Sequence, residues 1–339
     1  MSASQAASFF RVTKKHVKVF EKIDPLNSVV VRGFICRKKG PMGGSLFITH
    51  VDGKEVEPQG IYGTPKLAYP YNQQRDFNSE VREFIRFPNA TSYCFAEKWN
   101  GMNVLFFKYK NAEGRTLVSG KSKGTPFVSD GEFGNFLSMV LREISANPDV
   151  LAPLVGDDSI QSVSFELCGK SEPHLVEYSF DLKLQPLFAM DYRGMISPLV
   201  TADQLHDFIS SDELIEKCRT AQQQDFDKNQ QYRIERELDV RYEYEHFKTE
   251  GRVLYLLDAN GKLIDRTMYK IKPPDIEEVH WQSFGDNMAA RVREAIQKIH
   301  RNEEKISETT LKEELDMGPK EWSKFGKAVM KLIVSLGAI

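Results

Sequence analysis

Cysteine is scarce in this 339-residue chain. The four residues Cys36, Cys94, Cys168 and Cys218 lie far apart and make no metal-ligand spacing. A reduced cytoplasmic or nuclear setting is the expectation. No apolar run approaches membrane-spanning length, so contact with a membrane is not expected. The opening Met1-Ser-Ala-Ser-Gln5 has no basic stretch followed by an apolar one, which argues against a secretory signal. Net charge is also small, at −2, so no global basic field advertises a nucleic-acid partner. A local basic groove offset by acidic faces remains compatible with that value. There is no internal repeat and no low-complexity segment, and none of the seven histidines has a convincing functional neighbour.

What is present is an ordinary globular balance, 41% hydrophobic and 28% charged. The length suffices for a large core with two domains, or for one large domain and an appendage. Residues 1–30 read as polar, then mildly basic, ending in a strand at 26–31. Residues 31–70 alternate strands with glycine-rich turns, among them the hairpin candidate Val51-Asp-Gly-Lys54. Segments 91–96, 102–109 and 115–120 are expected to form one antiparallel meander. A helix is expected over 131–144, ended by Pro148. Strands are expected at 161–168, 174–184 and 187–191. A helix should open at Thr201 as N-cap and a second should span 211–220, with 221–247 polar, charged and helical towards its end. Residues 251–257 and 268–272 make a hairpin around Asp258-Ala-Asn-Gly261. After Pro273-Pro274 the character changes to three helices, with capping signals at Ser307. The expected boundary separates residues 1–274 from a helical domain over 275–339.

One stretch organises the rest: Phe95-Ala-Glu-Lys98-Trp-Asn-Gly101-Met-Asn103. Apolar runs on both sides of a lysine and a glycine predict strand, tight turn, strand. Partial desolvation and neighbouring cations lower a lysine's pKa and free its lone pair. Lys-x-Asn-Gly therefore suits a covalent lysine, and equally suits a plain hairpin with a solvated one. Four further features shift the balance. Ser119-Gly-Lys121-Ser-Lys123-Gly puts two lysines on a strand ending in glycine. Phe165-Glu166-Leu sets an acid among apolar residues, where an unpaired carboxylate is costly. Thr249-Glu250-Gly251 puts an acid at the mouth of a strand. Lys270 and Lys272 share one strand face at period two.

Together these suit nucleotidyl transfer. The amine of Lys98 would attack the α-phosphate of a nucleoside triphosphate, with cations on that phosphate and on the departing pyrophosphate. Glu250 would supply a hard oxygen for a divalent metal, directly or through water. Glu166 would accept hydrogen bonds from the ribose. Lys270 would sit on the α-phosphate and help depress the pKa of Lys98, with Lys272 assisting.

In this order the residues resemble the covalent nucleotidyltransferase superfamily of RNA ligases, DNA ligases and capping enzymes. The nearest likeness is to RNA ligases of the phage RNA ligase 1 type, with an echo of tRNA ligases. Lys98-Trp-Asn-Gly101 resembles motif I, Lys121-Ser-Lys-Gly124 the lysine-rich element that follows, and Phe165-Glu166-Leu the motif IIIa strand. Glu250-Gly-Arg-Val resembles motif IV and Tyr269-Lys-Ile-Lys272 motif V. The likeness spans roughly residues 60–275. It implies an α+β, antiparallel-sheet nucleotidyltransferase domain (ATP-grasp-like) followed by a small all-α domain. It implies ATP and Mg2+ or Mn2+ as cofactors, and RNA with 5′-phosphate and 3′-hydroxyl ends as substrate, in RNA repair or tRNA processing. It implies Lys98 as nucleophile and Glu250 at the metal. Glu166, Lys270, Lys272, Lys121, Lys123, Asn100 and Gly101 would line the nucleotide site.

Two positions depart from the pattern. Asn100 stands where motif I usually has Asp, although tRNA ligases more often show Asn. The stretch Tyr62-Gly-Thr-Pro-Lys66 lacks the arginine found upstream of motif I, and Lys66 is the available cation. Two other readings follow: a GTP-using, capping-type transferase, and a non-catalytic RNA-end-binding protein that keeps the pocket. Blander roles stand beside each motif. Lys270 and Lys272 can guard an exposed sheet edge. Trp99 can be packing. The basic face Lys320, Lys324, Lys327, Lys331 can be a solvated helix or an RNA contact.

Overall fold

A computed structural model describes residues 2–38, 40–71, 83–130, 135–171, 175–236 and 246–276. Towards the C-terminus it describes 292, 295, 296, 298–300, 304–315, 317, 318, 322, 323, 326, 327, 329, 330, 333 and 334. The chain divides into two compact units, Met1–Pro273 and Pro274–Ile339.

The first unit is α+β, and three antiparallel sheets dominate its described part. Helix α1 (Ala3–Phe10) and strand β1 (Val17–Asp24) occupy the stretch that reads only as polar and basic. The apolar faces there are short, and composition averages them away. β1 continues through β2 (Val29–Cys36), β3 (Leu46–Val51) and β4 (Lys54–Ile61) as a meander. The turn between β3 and β4 places Asp52 at φ 51° and Gly53 at φ 75°, the two left-handed residues a tight hairpin wants.

The central sheet has the order β10-β9-β8-β6-β7. Its strands are β6 (Met102–Lys110), β7 (Thr116–Lys121), β8 (Ile160–Cys168), β9 (Lys183–Asp191) and β10 (Ile196–Pro198). Alternation along β6 decides what each face meets. Val104 and Phe106 pack with Val140 of α2 (Phe136–Ala146) and Leu154 of α3 (Ala152–Val155). Leu105 and Phe107 point the other way. Phe107 enters the core shared with the first sheet, and Leu105 the core shared with the third. The third sheet, β11-β5-β12-β13, comprises β5 (Ser92–Glu97), β11 (His206–Asp207), β12 (Arg252–Leu257) and β13 (Leu263–Ile271). Its outer face is covered by α4 (Ser211–Arg236) through Leu214 and Cys218.

Four expectations are corrected. β5 does not pair with β6. It pairs with β12 and β11, while β6 pairs with β7 and β8. The stretch around Lys98 is therefore a passage between two sheets, not a hairpin. Residues 175–182 form no strand, because their backbone is divided between partners. Lys170 and Ser171 N–H groups donate to the carbonyls of Phe180 and Asp181, and Phe247 bonds to Leu175 and Glu177. The helix opening at Thr201 is one 3-10 turn, Ala202–Gln204, closed by the Gln204 side chain on the Thr201 N–H at 2.8 Å. The helix from Ser211 runs to Arg236. Its buried stripe contains Asp225 and Asn229, so the apolar period fades although the helix continues. Residues 131–134 of the expected helix over 131–144 lie outside the described residues.

In the second unit, Leu311 of α5 (Glu308–Glu314) packs with Ile299, Leu315, Val329 and Ile333. Ser307 caps α5, its Oγ accepting from the Thr310 N–H. Lys320, Lys324 and Lys331 lie outside the described residues. No helix among the described residues is long and apolar enough to cross a membrane.

Candidate active site

Lys98 lies in the four-residue passage from β5 to β6. Its backbone N–H donates to the Gly251 carbonyl at 2.9 Å, which fastens the passage to the start of β12. Two glycines permit this closeness. A Cβ on Gly101 would fall 2.2 Å from the Leu167 carbonyl oxygen. Gly251, at φ 118°, would place one 2.3 Å from that of Ile271. Gly101 and Gly251 thus let the ends of β8 and β13 approach the lysine segment.

Glu250 is the hub of the site. Its Oε2 accepts from Lys98 Nζ at 2.5 Å and from Asn100 Nδ2 at 3.0 Å, and its Oε1 lies 2.7 Å from Lys272 Nζ. The Lys98, Glu250 and Lys272 side chains are 14%, 4% and 8% exposed, so their attractions are little screened by solvent. Asn100 is spent inside the protein. Its Oδ1 accepts from the Val176 N–H at 3.1 Å, and its own N–H donates to the Tyr178 hydroxyl at 2.7 Å. Behind Glu250, the buried Asn229 of α4 holds the loop: its Oδ1 accepts from Lys248 and Thr249 N–H groups, and its Nδ2 donates to the Thr249 carbonyl.

Glu166 stands opposite Asn103 across the β8–β6 pair. Asn103 Nδ2 donates to Ser164 Oγ and the Phe165 carbonyl at 3.0 Å, and reaches Glu166 Oε2 at 3.4 Å. Burial pushes the Glu166 carboxyl up to about 7. Lys98 and the Asn103 hydrogen bond pull it down, and Glu250 pushes it further up.

Lys121 faces Leu105 across β7–β6, two residues along from Asn103, so Lys121, Asn103 and Glu166 share one face of the central sheet. The Lys121 side chain is almost wholly buried, and its Nζ donates to the Ser122 carbonyl at 2.5 Å. Burial pushes its ammonium down to about 7, aided by Arg37 and Lys123. Arg37 Nη1 donates to the Gly124 carbonyl at 2.5 Å, so a guanidinium belongs to this group although none was found near Lys66. Lys123 and Lys66 are exposed. Lys270 lies opposite Val253, whose other neighbour is Ala96 on β5, and its Nζ sits 3.8 Å from the Tyr69 ring centroid.

The structure therefore gathers Lys98, Asn100, Glu250 and Lys272 in direct contact, with Glu166 near enough for Lys98 and Glu250 to act on its charge. Lys270 and Lys272 divide their work, because Lys272 lies one residue past β13 and turns to Glu250. Sequence reading missed Arg37, Asn103, Tyr178 and Asn229. Asn103 follows Gly101 by two and was within reach of the motif. The other three are brought in only by tertiary contacts.

Among the described residues no three His, Cys, Asp or Glu side chains cluster as a metal cage. The Glu250 carboxylate offers hard oxygens of the kind Mg2+ and Mn2+ accept, and in this structure both are engaged, by Lys98 and Asn100 on one and Lys272 on the other.

No protein-family model and no curated protein sequence matches the chain. Solved structures similar to it include an RNA ligase of Naegleria gruberi with PPi, at TM-score 0.32 and 9% identity, covering 79% of this chain and 98% of that one. Two lysine-to-alanine mutants of the same enzyme, each with ATP and Mn, align at TM-score 0.31 and 8% identity. Each covers 78% of this chain, and 97% and 98% of theirs. Values this low carry no inference about the chemistry of this chain.

Proposed function

We propose that this protein is an ATP-dependent RNA ligase that joins 5′-phosphate and 3′-hydroxyl RNA ends through a lysyl-AMP on Lys98. The observation that carries the reading is the Lys98–Glu250–Lys272 contact, with Asn100 on the same carboxylate. Lys98 and Glu250, 152 positions apart in the chain, meet at one shielded carboxylate that Asn100 and Lys272 also reach.

In the first step Lys98, having lost a proton, attacks the α-phosphorus. A P–N bond forms, the bond to the β-phosphate oxygen breaks, and pyrophosphate leaves. In the second step an oxygen of the RNA 5′-phosphate attacks the same phosphorus and the P–N bond breaks, restoring the amine. In the third step a 3′-hydroxyl attacks the RNA phosphate, its proton is released, and AMP departs. Glu250 holds Lys98 and Lys272 in place before nucleotide arrives, and Lys272 and Lys270 are the cations available to the α-phosphate. Glu166 receives the ribose hydroxyls. Arg37, Lys121 and Lys123 receive the phosphates that leave. A divalent metal held by Glu250, phosphate oxygens and water would offset the phosphate charge. The Met1–Pro273 unit is the nucleotidyltransferase unit in this reading.

The non-catalytic alternative rested on Asn100 and on a missing arginine. Asn100 has a task of its own on Glu250, and Arg37 stands beside Lys121, so both grounds weaken. The deciding experiment incubates the protein with α-labelled ATP and, separately, α-labelled GTP. Label is expected from ATP and not from GTP, and is expected to disappear in Lys98→Ala. A Lys98→Ala protein that still became covalently labelled would remove Lys98 as the nucleophile. Circularisation of a 5′-phosphorylated oligoribonucleotide then tests sealing.

A further inference from the structure

Lys98 and Asn100 both reach Glu250, whereas Trp99 between them reaches a different group. Its ring lies 5.8 Å from Tyr178 at 32°, and 6.3 Å from Phe180 at 59°. Tyr178 and Phe180 stack at 4.9 Å and 29°. Lys183 Nζ sits 4.9 Å from the Phe180 centroid. The pile packs on Cys168, two residues past Glu166 on β8, and joins the Lys98 segment through the Asn100 N–H on the Tyr178 hydroxyl.

Its burial is uneven. Tyr178 is 8% exposed and pinned by the Asn100 N–H, while Trp99 and Phe180 are only partly buried. The group is a small satellite cluster, separate from the cores that hold the sheets together. Lys183 and Lys170 are exposed beside it, and the Lys170 N–H donates to the Phe180 carbonyl at 3.1 Å. Partly open aromatic faces with cations at their edge are what single-stranded nucleic acid uses. Bases stack on the rings and the backbone phosphates lie on the cations.

We propose that Trp99, Tyr178 and Phe180, with Lys183 at their edge, form the platform on which a base of the single-stranded RNA stacks beside the reacting lysine. The choice of RNA rests on the ligase reading above. RNA is chosen over the adenine of ATP because two exposed lysines, Lys170 and Lys183, give successive backbone phosphates a place at the edge of the rings.

A protein carrying Trp281→Phe and Trp322→Phe keeps Trp99 as its single tryptophan. Titration with a 5′-phosphorylated oligouridylate is expected to quench Trp99 fluorescence, and ATP is not. Phe180→Ala and Lys183→Glu are each expected to weaken oligouridylate binding at least fivefold. Lys183 is exposed, so Lys183→Glu tests the platform even where Phe180→Ala fails to fold. Unchanged RNA affinity in Lys183→Glu and folded Phe180→Ala overturns the proposal, as does quenching by ATP without quenching by RNA. Quenching by RNA without label transfer to Lys98 would leave the platform standing and remove the ligase activity. Label transfer without RNA quenching would do the reverse.

Discussion

Lys98 and Lys272 share a single carboxylate, Glu250, one ammonium on each oxygen, at 2.5 and 2.7 Å. Two cations held this way are kept together without nucleotide, so the nucleotide of the proposed reaction would meet a preassembled site. Truncating one member of a buried charge network leaves the others unpaired, which costs about 3–5 kcal/mol. Glu250→Ala is therefore expected to lower the melting temperature and to reduce label transfer from ATP by at least a hundredfold. Glu250→Gln keeps the shape, and is expected to recover more stability than activity. Calorimetry and the labelling assay, run on both variants, check this.

Asn100 donates to Glu250 and accepts from Val176, a combination its amide supplies and an ionised carboxylate of the same shape does not. Asn100→Asp would put a second carboxylate 3.0 Å from Glu250 unless one of the pair took a proton. Label transfer is expected to fall about tenfold at pH 8. It should recover as the pH is lowered towards 6, relative to the parent protein at each pH. Equal profiles for the two proteins would contradict the contact.

Glu166 carries a folded-state pKa of about 7, above its ordinary value near 4.5. Between those two values the folded protein binds more protons than the unfolded chain, so this group makes stability fall as pH rises from about 4.5 to 7. Glu166→Gln should remove that fall. The variant is expected to be more stable than the parent at pH 8, on the order of 1 kcal/mol once partial solvent exposure is allowed for. The two should converge near pH 5. Label transfer should nevertheless decrease if, as proposed, that carboxylate receives the ribose hydroxyls. Thermal melts across pH, beside the labelling assay, separate the two effects.

Lys121 is buried with its ammonium pushed down to about 7 from about 10.5. Here the unfolded chain binds more protons between those values, so the group makes stability rise with pH across that window. Lys121→Met, of similar length and apolar, should flatten this rise and stabilise the protein at pH 7. Anionic ligand near Arg37 and Lys121 would restore the lost charge, so ATP binding should take up protons near pH 7–8. Calorimetric titration in buffers of different ionisation enthalpy measures that uptake, and Lys121→Met should lack it.

Much of the strand pattern was legible from residue order. The β3–β4 hairpin was readable at Asp52-Gly53, since few other residue pairs accept two left-handed conformations. The hairpin of β12 and β13 was readable from its alternation and from Gly261. The helix from Ser211 was read too short, because Asp225 and Asn229 occupy its buried stripe for reasons of hydrogen bonding, not hydrophobicity. Local signals also suggested that β5 and β6 were neighbours, as most short connections imply. They lie in different sheets, and that error concerned the residues that matter most.

The order of Lys98, Glu166, Glu250 and Lys272 along the chain was enough to nominate them, since few chemistries need a lysine, two shielded acids and further lysines together. Their meeting is a tertiary fact. Strand alternation put Glu166 on the inner face of the central sheet, and the close approach allowed by Gly101 and Gly251 brought Lys98 to Glu250. That Lys272 and not Lys270 takes the second oxygen of Glu250, and that Arg37 joins Lys121, depend on where strands end and loops turn. Those choices follow from packing between distant segments, and no local pattern of residues encodes them.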